Sequence, residues 1–463
     1  MILAVMGWTM ARALAVAGAA VASGWLVHRA LADPDRNRRR WVWMLMLIPL
    51  LTPGLLVGYA YSNFSLSLIH HSSWNTVLYA ALVWLKYTPV AALALHVAPR
   101  EVSDAGLHCR RLAGRAMRAS GNALVMFWLR GPGRPILLAF TLVFLLAFGE
   151  FEIASLMLVS SWTVMLFDAQ VGGMELMSSL KMAVAPMLVE VAVFGGAVIW
   201  IVRARGGQER LVRSGVGSGR GATGWAWLIL GGAVGLVTVL PAWIVMRGAW
   251  TGLGGVWVIQ REVMVSVGFA SVSAMLAMWA ARGMLRRWGK WGCVMASVPG
   301  LMGPLLTGLM LVAAFQLPVA RMVYDSPVPL LAGLVVLLMP VAVLLMLLMR
   351  VDRKTSGVHV AQLMGRSSVP VVREHSVRLR WVLSTRRVMW TGLLLFFWAY
   401  FDVTMSHLLA PVGMTPVTVR LYNQMHYGQM TVLSAMVSVA VLAPVGLGLM
   451  ALAVGRVAVT RRR

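Results

Sequence analysis

The stretch PLLAGLVVLLMPVAVLLMLLMR, residues 329–350, carries no charge until its last position, and only Gly333 and Pro340 interrupt its Leu, Val, Met and Ala. About 20 such residues wound as a helix cover the roughly 30 Å hydrocarbon core of a bilayer. A segment rich in Lys and Arg, 350–387, follows at once, and this alternation of apolar run and basic loop recurs along the chain. Of 463 residues, 60% are hydrophobic and 12% charged, a balance foreign to soluble domains, so the chain reads as an all-α polytopic membrane protein.

Outward from 329–350, eleven spans are expected: 3–28, 41–61, 74–98, 134–160, 182–203, 225–246, 262–281, 292–317, 329–350, 388–412 and 432–456. Most of the 41 Lys and Arg lie in six alternate segments, 29–40, 100–134, 203–220, 282–290, 350–387 and the tail from Arg456. Basic loops stay cytoplasmic, which places the N-terminus outside and Arg461, Arg462 and Arg463 inside. The net charge of +26 thereby reports topology and contact with anionic headgroups, and nucleic acid is not needed as a partner. Cys109 and Cys293, without CxxC spacing, form neither a disulfide framework nor a zinc site.

Landmarks recur at an offset of 250 or 251. Pro49 and Gly58 match Pro299 and Gly308, Pro89 matches Pro340, and Phe151-Glu152 matches Phe401-Asp402. Between these lie His108, Leu112, Gly114 and Arg115, repeated as His359, Leu363, Gly365 and Arg366. Later, Thr163-Val164-Met165-Leu166-Phe167 resembles Thr418-Val419-Arg420-Leu421-Tyr422. An internal duplication explains such spacing. The expected halves are 1–204, with five spans, and 225–463, with six, joined by a Gly- and Arg-rich cytoplasmic linker over 205–224. At this offset the partner of span 225–246 would fall before residue 1, so the first half lacks one helix and 3–28 is a retained core helix rather than a signal peptide. The GxGxxG at Gly219, Gly221 and Gly224 lies between a loop and a span, not between strand and helix, and is no dinucleotide site.

HVAQLMGRS from His359 resembles the EAA loop of permease subunits in binding-protein-dependent ABC importers, with Ala361 and Gly365 at the matching positions. GEFEIASL around Glu150 and the segment from Phe401 to Gly428 are similar to the segments after that loop in ferric-iron and thiamine permeases, which are also fused two-half chains. This chain departs from the pattern at His359, where the family has an acid, and at Cys109 and Arg110, where it has alanines.

The resemblance implies a channel-forming permease subunit in a bacterial inner membrane. Its partners would be a separate ABC ATPase, in two copies, and a periplasmic binding protein. Ferric iron is the implied cargo, with thiamine, another metal ion or a polyamine as alternatives. The coupling residues would be His108, Leu112, Gly114 and Arg115 in the first loop and His359, Ala361, Leu363, Gly365 and Arg366 in the second. Small residues there permit close approach to a partner, and the glycine ends the helix and turns the chain.

The chain contains no Walker A sequence, so nucleotide would bind elsewhere, and no catalytic motif or cofactor site marks an enzyme. Glu150, Glu152, Asp402 and His407 fall in or at the ends of spans and could flank a translocation path, or hold the bundle together by pairing with Lys86 or backbone groups. Glu190 is a further charge within a span. An ion-coupled secondary transporter using Glu152 and Asp402 as proton sites is the alternative reading, and a lipid-modifying membrane enzyme is a third.

Overall fold

The structure is a computed structural model that describes residues 2–31, 33, 35–68, 70–97, 133–203, 220–250, 259–351, 355–381, 386–426 and 430–460. These residues contain helices and no strand, and they form two compact units, Met1–Ile244 and Val245–Arg463.

The first unit contains α1 (Ile2–Leu31), α2 (Arg36–Leu51), α3 (Gly54–Ser67), α4 (Ser72–Val97), α5 (Gly133–Phe148), the short α6 (Glu152–Leu156), α7 (Trp162–Val171), α8 (Leu176–Arg203) and α9 (Arg220–Ala233). A π-helical turn, Val234–Val239, joins α9 to α10 (Leu240–Ala249), and the boundary between the units falls within α10. The second unit continues with α11 (Gln260–Arg287), α12 (Gly289–Leu301), α13 (Gly303–Phe315), α14 (Val328–Val351), α15 (Thr355–Met364), α16 (Pro370–Arg380), α17 (Arg386–Tyr400), the short α18 (Thr404–Leu409), α19 (Val417–His426) and α20 (Met430–Thr460).

Among the described residues eight helices are long and apolar enough to cross a membrane, or up to ten if each of two bent pairs counts as one span. Eleven were expected. The difference is at 388–412, where α17 stops after 15 residues and α18 begins beyond a break. The span expected at 134–160 is interrupted in the same way at Gly149, Glu150 and Phe151, between α5 and α6. The span expected at 225–246 in the second half belongs in large part to the first unit: Ala226 and Leu230 close a core with Val27, Leu31, Val42, Met46 and Ala92. Its helix starts at Arg220, inside the stretch read as linker.

Both bent pairs have a local cause. Between α2 and α3, Pro49 and Pro53 each remove a backbone donor, and the axis turns by 70°. Between α12 and α13, Pro299 is followed by Gly303 at φ +80°, a conformation open mainly to glycine, and the axis turns by 106°. The π turn serves the first bend. Its looser winding leaves the Leu236 carbonyl to accept from the Tyr61 hydroxyl at 2.9 Å, and the Thr238 and Thr52 hydroxyls bond at 2.7 Å.

Each long first helix presents small residues to its neighbours. On α1 these are Thr9, Ala13, Ala17, Ala20 and Gly24; on α11 they are Ser266, Ala270, Ala274, Ala277 and Ala281, with identical spacing and all buried. Small side chains let membrane helices approach closely, and a Cβ on Gly24 would stand 2.8 Å from the Ala91 Cβ of α4. The order and partners then recur. α1 packs on α4 and α5 as α11 packs on α14 and α17, and α3 packs on α6 as α13 packs on α18.

Candidate functional site

In the first unit the break after α5 is organised by one carboxylate. Glu150 accepts from the backbone N–H of Ile153 at 2.7 Å and of Ala154 at 3.1 Å, capping α6, and from the Tyr79 hydroxyl at 3.0 Å. The first N–H groups of a helix lack internal partners, and an acid placed there also meets the positive end of the helix dipole. The Glu150 carbonyl accepts from the Thr163 hydroxyl at 2.9 Å, and the Thr9 hydroxyl of α1 accepts from Trp162 N at 3.3 Å, capping α7. Behind Tyr79, the buried Arg12 guanidinium lies 4.7 Å above the ring and donates to the Ser160 carbonyl at 3.3 Å.

Glu152 serves the other broken span. Its Oε2 accepts from Leu55 N at 3.1 Å at the start of α3, and both that carboxylate and the Lys86 ammonium stand against Gly54. Four residues on, Gly58 forms a notch for α6. A Cβ there would lie 2.8 Å from Leu156 Cδ1 and 2.9 Å from Leu156 Cβ. The far end of α6 is fixed where the Met157 carbonyl accepts from Asn75 Nδ2 at 2.8 Å and from the Ser65 hydroxyl.

The second unit repeats this arrangement with fewer charges. Asp402 accepts from Ser406 N at 3.0 Å, capping α18, and its carbonyl accepts from the Thr418 hydroxyl at 3.0 Å. The Ser266 hydroxyl accepts from Val417 N at 2.8 Å, capping α19 as Thr9 caps α7. Gly308 is the notch, with its absent Cβ 2.7 Å from Leu408 Cδ1. His407, on α18, shares a 3.3 Å hydrogen bond with Asn423 and packs edge-on against Tyr422. An ion pair special to this unit joins Arg420 to Glu262 at 2.7 Å, and Arg261 donates to the Gly413 carbonyl at 3.0 Å.

These bonds correct the repeat register. Asp402 has the role of Glu150, not of Glu152, because both cap the short helix from the same position before it and both offer their carbonyl to the matching threonine. The position equivalent to Glu152 is Thr404. No family model, curated protein or solved structure matches the chain.

The second site is a hairpin, with α15 and α16 packed on each other. Ala361 is fully buried, and Gly365 faces α16, where a Cβ would stand 3.3 Å from the Ser376 hydroxyl. Gly365 does not take the left-handed conformation expected of a helix-ending glycine. Its backbone N–H bonds the Ala361 carbonyl at 3.2 Å and the chain leaves through further tight turns, so its small size serves the approach of α16. His359, Val360, Leu363 and Arg366 are exposed, as are Val369 and Val371, with Leu363 53% and Val371 61% exposed.

His108, Leu112, Gly114 and Arg115, like Cys109, lie outside the described residues. Cys293 is buried and forms no disulfide. Among the described residues no group of three or more His, Cys, Asp or Glu is placed to hold a metal ion. Sequence reading missed Thr9, Ser266, Tyr79 and Arg12 as parts of the capped breaks. A hydroxyl that caps a distant helix carries no local signal, although a lone Arg12 in an apolar run is a signal that could have been followed.

Proposed function

We propose that the chain is the channel-forming permease of an ATP-driven importer in a bacterial inner membrane, coupled to a separate ATPase through the α15–α16 hairpin. The observation that carries this reading is the hairpin's two-sided build. Ala361 and Gly365 let α16 close against one side of α15, while Val360, Leu363, Val369 and Val371 are left exposed on the same hairpin as the exposed Arg366 and Arg373. Uncovered apolar side chains on a basic element suit a protein partner with an apolar groove and an acidic rim. The cargo would arrive from a periplasmic binding protein; ferric iron is the proposed cargo, with thiamine, another metal ion or a polyamine as alternatives.

A carrier that binds protons at Glu152 and Asp402 has less support, because each carboxylate is engaged by backbone N–H groups at a helix start. The test is a mild-detergent pull-down of the tagged chain from its native membrane, beside Leu363→Glu and Gly365→Arg variants, with mass spectrometry of the partners. An ATPase that copurifies with the wild type and is lost with Leu363→Glu, a surface change, supports the reading. Wild-type chain that brings down no ATPase in any nucleotide state refutes it.

A further inference from the structure

Glu190 lies on α8, four residues beyond Pro186, and is only 2% exposed. Its Oε2 is buried without a hydrogen-bond partner, and its Oε1 lies beside Gly149, at 3.6 Å from where a Cβ would stand. The helices packed on α8 are α7, α5 and α1. Their charged or titratable side chains are Asp168 on α7, Arg134 on α5, and Arg12, His28 and Arg29 on α1; α8 itself carries Lys181 and ends in Arg203, more than three turns beyond Glu190. None of these forms an ion pair or hydrogen bond with Glu190. Arg12 is directed to Tyr79 and Ser160, and the adjacent Glu150 is held by three donors.

The second unit has no counterpart. Pro444 on α20 stands where Pro186 stands on α8, and four residues beyond it comes Gly448, against the rings of Phe397. Where one unit packs an aromatic side chain, the other places an acid. An ionised, unpaired carboxylate in such surroundings costs several kcal/mol, whereas a neutral carboxylic acid can be held there.

We propose that Glu190 is a proton-exchanging carboxyl at the α5–α6 break, and with it a modification site for apolar carbodiimides. The reagent takes the acid's proton on one nitrogen while a carboxyl oxygen bonds its central carbon, giving an O-acylisourea. Migration of the acyl group from oxygen to nitrogen then yields a stable N-acylurea. No group leaves, so the peptide gains the mass of one whole reagent molecule. The inference is independent of the importer reading, since it concerns a proton site and needs no ATPase.

The experiment treats the full-length chain in liposomes with dicyclohexylcarbodiimide in acid and alkaline buffers and maps adducts by peptide mass spectrometry. The expected result is an adduct on Glu190, severalfold more abundant in acid, absent from Glu190→Gln, and not matched at Glu150 or Asp402. A parallel reaction with a water-soluble cationic carbodiimide, expected to spare Glu190, keeps the test decisive if Glu190→Gln does not fold. Wild-type chain unlabelled at Glu190 in every buffer, labelling that does not decline in alkali, preferential labelling of Glu150 or Asp402, or better labelling by the water-soluble reagent each overturns the proposal.

Discussion

Replacing Gly58 by alanine tests whether the glycine notch positions α6. The added Cβ would lie 2.8 Å from Leu156 Cδ1, 2.9 Å from Leu156 Cβ and 3.3 Å from the Glu152 carbonyl oxygen. Leu156 Cδ1 can rotate away, but its Cβ and the backbone carbonyl move only with α6, which is fixed at both ends. Overpacking of this kind costs about 1–3 kcal/mol, against which alanine gains about 1 kcal/mol of helix propensity over glycine. The expected net loss is up to about 2 kcal/mol by these same magnitudes. At Gly308 only Leu408 Cδ1 is close, at 2.7 Å, and Leu408 Cβ is 3.7 Å away, so a rotamer change relieves the contact and Gly308→Ala is expected to be near neutral. SDS-titrated unfolding of the purified chain measures both. Replacing Leu156 by glycine in the Gly58→Ala background removes that Cβ and should recover part of the loss in a double-mutant cycle. Equal effects at Gly58 and Gly308, or no coupling to Leu156, would refute the notch.

Leu158 holds φ +53° at the turn after α6, half exposed, so Leu158→Gly should stabilise the chain by about 1 kcal/mol in the same assay. Glu150→Gln puts an amide NH₂ among three donors and should cost about 2 kcal/mol in the same unfolding assay. Arg420→Met, which installs the residue found at the matching position of the first unit, should cost about 1 kcal/mol, because the pair it breaks with Glu262 is partly exposed; a salt titration should reduce the difference.

The apolar runs were legible because a helix in lipid must be apolar along its length, and that requirement writes itself into consecutive residues. The breaks at Gly149 and Phe401 were not legible, since an acid that caps a new helix reads in sequence like any charge within a span. Sequence matching paired Asp402 with Glu152 because both follow a phenylalanine; the bonds pair it with Glu150. The first helix was aligned at an offset of 250, whereas the buried stripes from Thr9 and from Ser266 align at 257. The longer connection and longer second helix of the first unit account for the shift, and alanines are too common in membrane helices to reveal it. In the hairpin, Ala361, Leu363 and Gly365 were named from the resemblance, but the neighbour that gives Gly365 its purpose, Ser376, comes from a helix whose docking the sequence does not announce.

The unequal pair Glu190 and Gly448 bears on how such a chain can change over generations. In an assembly of two identical subunits every substitution is made twice, and a buried acid would be imposed on both copies at double the penalty. A chain that carries both copies covalently can alter one and leave the other as a plain scaffold. Arg12, Lys86, Glu152 and Glu190 all lie on the first side of that division, with Phe269, Leu337, Thr404 and Gly448 at the matching places on the second. The second side has departures of its own, the Arg420–Glu262 pair among them, so selection can adjust each half without altering the other.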